Sequence, residues 1–317
     1  MARRRGRKRW MVLGVLLLGL FVWINAPGLT ALAYQLYYTP RVQALPKASG
    51  FGSSDRVLVL APHPDDEVLC CAGTLQQAQG AGAQVYIAWL TSGDGFEWDA
   101  VLLRHTPDPG NRAMLELGQT RMQEARKAAE VLGVPSEHLR FLGYPDQGLL
   151  RLFLDYYYFP YTAPRTGVNR VPYPGTLSPG ALYTGENLER DVERLFEEIR
   201  PTLVLAPSPL DAHPDHRATG DLALRLLGKR RELDRARFWI VHGGLEWPLP
   251  KGLHKSLPLE PPPRGHGLPW QRVPLQLEQV ERKLEAARAH HSQILILGRF
   301  MEAFVRSNEL LSPLPLP

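Results

Sequence analysis

Residues 56–67 read Arg-Val-Leu-Val-Leu-Ala-Pro-His-Pro-Asp-Asp-Glu. The run from Arg56 to Ala61 is short, apolar and β-branched, which predicts a buried strand. Pro64 suits the first helical position, where a missing N–H costs nothing, so a helix is predicted over 64–80. Further strands are predicted at 84–90, 139–142, 201–206 and 237–241, with helices at 113–132, 186–199 and 214–227. Two more helices are expected within 275–310. Strands alternating with helices imply βαβ units, hence an α/β, Rossmann-like three-layer αβα sandwich with a mainly parallel sheet. Segments 96–110, 151–180 and 244–270 carry no assignment, and no internal repeat is present.

The 317-residue chain is 44% hydrophobic and 22% charged, ordinary for a globular protein with a core. Its net charge is +5, but Arg3, Arg4, Arg5, Arg7, Lys8 and Arg9 supply six positive charges, leaving −1 for everything after Trp10. A body this close to neutral argues against nucleic-acid binding. The 2 cysteines, Cys70 and Cys71, are adjacent. No disulfide framework is expected from them, and they read as core residues of a helix.

The basic residues 1–9 precede an uncharged stretch over 10–38, with Trp10 at one end and Trp23, Tyr34, Tyr37 and Tyr38 towards the other. This pattern predicts one N-terminal transmembrane helix with residues 1–9 in the cytoplasm and the body on the extracytoplasmic side. A signal segment cleaved near Ala33, at Ala31-Leu32-Ala33, is the alternative, giving a secreted protein. Residues 39–55 read as a linker, and 56–317 as the catalytic domain.

Two motifs carry chemistry. After the first strand come His63, Pro64, Asp65, Asp66 and Glu67; after the fourth come Asp211, Ala212, His213, Pro214, Asp215 and His216. In an open α/β sheet, ligands sit beyond the carboxyl ends of strands, where both motifs fall. Acidic residues favour helix N-termini through the dipole, by ~0.3–1 kcal/mol each, but that explains one carboxylate rather than three behind a His-Pro. One carboxylate can face a metal beside His63 while its neighbour handles a proton. His213 and His216, three apart, share one face of a helix start. Imidazoles with one carboxylate suit a catalytic metal with open positions, Zn²⁺ or equally Fe²⁺.

The motifs APHPDDE at 61–67 and HPDH at 213–216 resemble those of the PIG-L / LmbE-like family of zinc-dependent N-acetylglucosaminyl deacetylases. Weaker similarities are LTSGDG at 90–95, LGYPDQG at 142–148, HHSQ at 290–293 and SNELL at 307–311. The resemblance implies that His63, Asp66 and His216 are metal ligands. It makes Asp65 the general base and His213 the group that stabilises charge on the reacting carbonyl, with Asp215 orienting His213.

The expected reaction is hydrolysis of an N-acetyl group on an N-acetylated sugar or glycoconjugate, lipid-linked ones included, giving acetate and a free amine. A protonated His213 is expected to stabilise the oxyanion. Asp94, Arg121 and Asp146 are candidates for holding sugar hydroxyls. Two other readings are a non-sugar N-acyl substrate and a catalytically silent, anchored carbohydrate-binding protein. A phosphoesterase calls for two metals and a larger ligand set than the sequence offers.

Overall fold

A computed structural model describes residues 2–104, 106–244 and 247–316, without the side chains of 2–9, 23–25, 27, 103 and 104. The chain opens with α1 (Ala2–Gln43), followed by β1 (Arg56–Ala61), α2 (Asp66–Gly80), β2 (Gln84–Thr91), α3 (Glu97–Arg104) and α4 (Gly110–Val131). Next come β3 (Leu139–Tyr144), α5 (Leu149–Leu154), α6 (Gly185–Ile199), β4 (Leu203–Pro207), α7 (Pro214–Arg230) and β5 (Ala236–Trp239). The C-terminal part holds β6 (Gln271–Pro274), α8 (Leu277–Ala289), α9 (His291–Glu302) and β7 (Asn308–Leu311).

Five strands form one sheet in the order β3-β2-β1-β4-β5, each pair parallel. Side chains alternate across it with the period of two that strands impose. Val57, Val59 and Ala61 enter one core, shared with residues of α2 and α4, while Leu58 and Leu60 enter a second shared with α6 and α7. The three layers expected from the sequence are thus present. The chain leaves β1 towards β2 and later returns to β4 on β1's other side, so β1 and β4 bracket the point where strand order reverses. The last expected helix is shorter than its segment: residues 308–311 form β7, antiparallel to β6.

The N-terminus departs from the sequence reading of a transmembrane helix over 10–38. Helix α1 is continuous, but among the described residues no helix is long and apolar enough to cross a membrane. Towards its C-terminal end α1 instead packs on protein: Tyr34 is buried and donates a 3.0 Å hydrogen bond to the Pro258 carbonyl, and Val42 is buried. The helix also consumes the start of the 39–55 linker. The basic side chains of residues 3–9 and that of Trp23 lie outside the described residues.

The C-terminal elements grip α2. Glu309 accepts hydrogen bonds from the Gly73 and Thr74 amides, both at 2.8 Å, and pairs with Lys283 at 2.7 Å. Lys283 also donates to the Leu69 carbonyl at 2.9 Å. These buried charges are paired and hydrogen-bonded, as the interior demands. Cys70 and Cys71, expected as free core thiols, are bonded to each other and remain buried in the α2 core.

Candidate active site and metal centre

The two His-Pro-Asp turns lie at the carboxyl ends of β1 and β4, which are hydrogen-bonded neighbours. Their backbones differ. In the second, His213 is the N-cap of α7 and Pro214 occupies the first helical position, as expected. In the first, the helix starts two residues later than expected, at Asp66. The His63 amide donates to Asp66 Oδ2 at 2.9 Å and the Asp66 amide to the His63 carbonyl at 3.3 Å, closing a turn before the helix. Asp65 makes the junction at φ 132°, a conformation natural only to glycine.

Asp66 Oδ2 lies 3.2 Å from His63 Nδ1 and 3.2 Å from His216 Nε2, so the three residues expected to bind metal converge. One ring nitrogen from each of His63, His213 and His216 also falls within 4.8 Å of the others. His216 is fully buried, and both of its ring nitrogens lack a hydrogen-bond partner. The 3.2 Å approaches of Asp66 to Nε2 and of Asp211 to Nδ1 are close enough for ion pairing but misaligned for hydrogen bonds. A buried imidazole without such bonds is costly. A divalent cation shared by His63, Asp66 and His216 would remove that cost, and the donor set fits one.

Asp211, which opens the second motif but was given no role from sequence, sits behind His216 as a supporting carboxylate. It accepts hydrogen bonds from the amides of His213 (2.9 Å), Val241 (2.9 Å) and His242 (3.0 Å). A carboxylate of this kind orients a ligating imidazole. Burial opposes charge on His216, but Asp211 and Asp66 raise its pKa to about 10. Burial likewise opposes charge on Asp66, yet His216 and His63 hold it well below the usual carboxylate range.

Asp65 behaves differently from its neighbour. Burial pushes its pKa up to about 7, against the pull of the Arg121 guanidinium, whose Nη2 lies 3.1 Å from Asp65 Oδ2. A carboxylate balanced there suits a general base. Arg121 is itself buried and donates to the carbonyls of Gly93 and Pro64, both at 2.8 Å. Gly93 has φ +68°, and a Cβ on it would meet the Arg121 guanidinium at 2.3 Å.

His213 does not match the expectation of a protonated ring. The Asp215 amide donates to its Nδ1 at 3.2 Å, which leaves Nε2 to carry the hydrogen. Burial and the neighbouring His63 and His216 push its pKa down to about 4. Asp215 reaches His213 through this amide rather than through its carboxylate. The carboxylate accepts from the amides of Gln147 (2.6 Å) and Leu149 (3.0 Å) and lies 3.2 Å from His63 Nε2. Asp215 therefore orients His63, a metal-ligand candidate, with Asp146 Oδ1 at 3.1 Å from the same nitrogen.

An open cavity of about 170 Å³ lies over the site. Its polar wall includes His63, Asp65, Arg121, Asp146 and His213; Leu69, Phe96, Val241, Leu297 and Phe300 make an apolar wall. Of the three candidates for sugar hydroxyls, Arg121 and Asp146 face the cavity. Asp94 is buried behind it, accepting from Tyr173 Oη and from the Asp146 amide at 3.4 Å. It supports Asp146 rather than the cavity surface. Gln147, His242 and Gln293 also line the cavity without having been assigned a role; LGYPDQG and HHSQ were the signals for Gln147 and Gln293, and no motif pointed to His242.

The strain at Asp65 has a measurable signature. Asp65→Gly should be more stable than Asp65→Ala by ~1 kcal/mol, reversing the ordinary order, because only glycine relaxes at this φ. Both variants lose the carboxylate, so the difference in their melting curves isolates the backbone. Equal stability, or Ala above Gly, contradicts a strained residue 65.

The family model for PIG-L, described as GlcNAc-PI de-N-acetylase, matches residues 58–227. A probable N-acetyl-alpha-D-glucosaminyl L-malate deacetylase 2 of Bacillus anthracis is 27% identical over 238 residues, 75% of this chain and 80% of that one. A 1D-myo-inositol 2-acetamido-2-deoxy-alpha-D-glucopyranoside deacetylase of Corynebacterium glutamicum is 27% identical over 260 residues, 77% of each chain. A solved deacetylase of the teicoplanin biosynthetic pathway, a triple mutant, has a TM-score of 0.51 at 19% identity. The match covers 81% of this chain and 96% of that one and shows the common fold. With both motifs inside the matched region, the chain belongs to the PIG-L family and is a deacetylase, a hydrolase acting on amide bonds.

Proposed function

We propose that the protein hydrolyses the N-acetyl group of an N-acetylglucosamine-type sugar or glycoconjugate, releasing acetate and a free amine. The observation that carries this reading is the Asp65 carboxylate, pushed up to about 7 by burial, beside the convergent set His63, Asp66 and His216. The names of the relatives, which describe deacetylases of glucosaminyl conjugates, support the substrate class.

His63, Asp66 and His216 would hold Zn²⁺, or equally Fe²⁺, which when bound would supply Lewis-acid activation of water and of the acyl carbonyl. Asp65 takes one proton from the attacking water as the new C–O bond forms and returns it to the nitrogen as the C–N bond breaks, so the amine departs neutral and the acyl group leaves as acetic acid, which ionises to acetate in solvent. His213, with Nδ1 engaged by the Asp215 amide, offers its Nε2 hydrogen to the developing oxyanion. Such a donor is typically worth ~3–4 kcal/mol in the transition state. Arg121 holds Asp65 in place through their ion pair. Asp146 and Arg121 are the groups assigned to sugar hydroxyls. The apolar cavity wall favours a second reading, an N-acyl amine that is not a sugar.

The same proposal extends to location. Large apolar residues from Trp10 to Val22 are exposed around α1, from 44% at Leu13 to 74% at Trp10. A helix apolar on all sides is costly in water and suits a bilayer. Within the stretch 10–38, the exposed residues 10–22 are read as the part that enters a bilayer, with the Tyr34 end docked on the domain, so that the catalytic domain is held at an extracytoplasmic membrane surface, near lipid-linked substrates.

Acetate release from a panel of N-acetylated sugars, glycoconjugates and simple N-acyl amines tests the reaction. Release should require metal, stop with chelator, and fall about 10²–10⁴-fold in Asp65→Asn. Turnover of the non-sugar amines alone moves the assignment to the second reading; metal-independent turnover contradicts the mechanism. For the anchor, full-length protein should stay with membranes after alkaline carbonate washing and be released by detergent. Recovery in the carbonate-soluble fraction contradicts it.

A further inference from the structure

The HHSQ segment at 290–293 sits at the α8–α9 junction and sends three side chains to three elements. Ser292 meets Glu124 of α4, with its amide at 2.8 Å and its hydroxyl at 2.7 Å. Gln293 bonds Asp99 of α3. His290 turns to Glu67 of α2, with Nε2 2.9 Å from Oε1. The other Glu67 oxygen, Oε2, accepts from the Asp65 amide at 3.0 Å and from Trp89 Nε1 at 2.8 Å. Glu67, Trp89 and His290 are all fully buried.

We propose that Glu67, braced by His290, is a positioning residue that holds Asp65 in its strained backbone conformation so that its carboxylate faces the site. The inference rests on Asp65 acting as general base. An amide at a helix N-cap has no partner within the helix, and Glu67 Oε2 accepts this one in the interior. At φ 132° Asp65 sits in a conformation that persists only when its surroundings over-determine it. Two constraints do so. Arg121 holds the side chain, and Glu67 holds the main chain through the 3.0 Å bond. Trp89 and His290 fix the Glu67 carboxylate in turn, leaving it one orientation. Without that acceptor Asp65 relaxes towards an ordinary φ, and its carboxylate swings away from His63 and Asp66.

The test combines kinetics with structure. Glu67→Ala should lower kcat about 100-fold, the size of effect a displacement of ~1 Å at a reacting group produces. KM and bound metal per chain should stay within about twofold of wild type. Glu67→Gln keeps an acceptor oxygen for the Asp65 amide and should stay within about fivefold of wild type. The decisive comparison is the double variant: in an Asp65→Ala background, Glu67→Ala should change the residual rate by less than about twofold, since the two act as a unit.

A fall as large in that background as in wild type overturns the inference, as does loss of metal from a folded Glu67→Ala protein. Where Glu67→Ala does not fold, His290→Gln takes its place, with a fall of about tenfold in wild type and none beside Asp65→Ala. A crystal structure of whichever variant folds reads the claim without substrate. Asp65 leaving the positive-φ region supports it, and φ remaining near 132° overturns it. Wild-type protein inert towards every N-acyl substrate instead contradicts the proposed reaction, so the two failures are distinct.

Discussion

The hydrogen-bonded pairing of β1 with β4 is the constraint on which the site depends. Val57, Leu58 and Val59 lie in register with Leu203, Val204 and Leu205. The two strands are 142 residues or more apart in sequence by their numbering, and only this ladder puts their carboxyl ends side by side. The turn after β1 supplies His63, Asp65 and Asp66; the turn after β4 supplies His213 and His216. Neither turn alone offers a complete donor set. Because strand order reverses between β1 and β4, the flanking helices diverge there and leave the crevice that the cavity occupies.

The same tripeptide, His-Pro-Asp, plays two backbone roles. After β4 it forms a relaxed helix start, with His213 capping α7 and Pro214 inside the first turn. After β1 it is followed by a further acid, and the helix begins one residue past Asp65. Asp65, the last residue of the tripeptide, is left at the junction with the positive φ, and it is the residue assigned to proton transfer. Strain is thus placed at the chemistry, and the compensation lies in buried partners drawn from the far end of the chain. His290 reaches Glu67, while Lys283 and Glu309 clamp the next turns of α2. The C-terminal elements close the domain and also stiffen the helix that presents the site.

Much of this was legible in the sequence. The strands and helices of the parallel sheet follow from apolar runs and 3.6-residue spacing, and β1 has the bounds read from its sequence. Both His-Pro-Asp motifs announce themselves because their residue types recur at strand ends. What was illegible depends on distance. Nothing local says that the Asp215 carboxylate turns to His63 and leaves His213 to a backbone amide, or that Asp94 stands behind Asp146. Asp211 and His290 act through partners 5 and 223 positions away, so their roles appear only after folding. Helix α3 and most of α5 lie in segments that carried no assignment, β6 falls between assignments, and β7 takes residues expected to end a helix. The N-terminal stretch was read as spanning a membrane, yet Tyr34 is buried against the domain, a tertiary contact no hydropathy pattern encodes.

The central claim is that one divalent cation is shared by His63, Asp66 and His216. Two other groups of donors are close enough to compete: Asp211, His216 and His242, and His63, Asp146 and Asp215. Anomalous diffraction from crystals of the zinc-loaded protein, collected on both sides of the zinc absorption edge, distinguishes them directly. The account predicts one strong peak bounded by His63, Asp66 and His216, at ~2.0–2.2 Å from their donor atoms. A peak within either competing group, with Asp66 outside the coordination sphere, would contradict it.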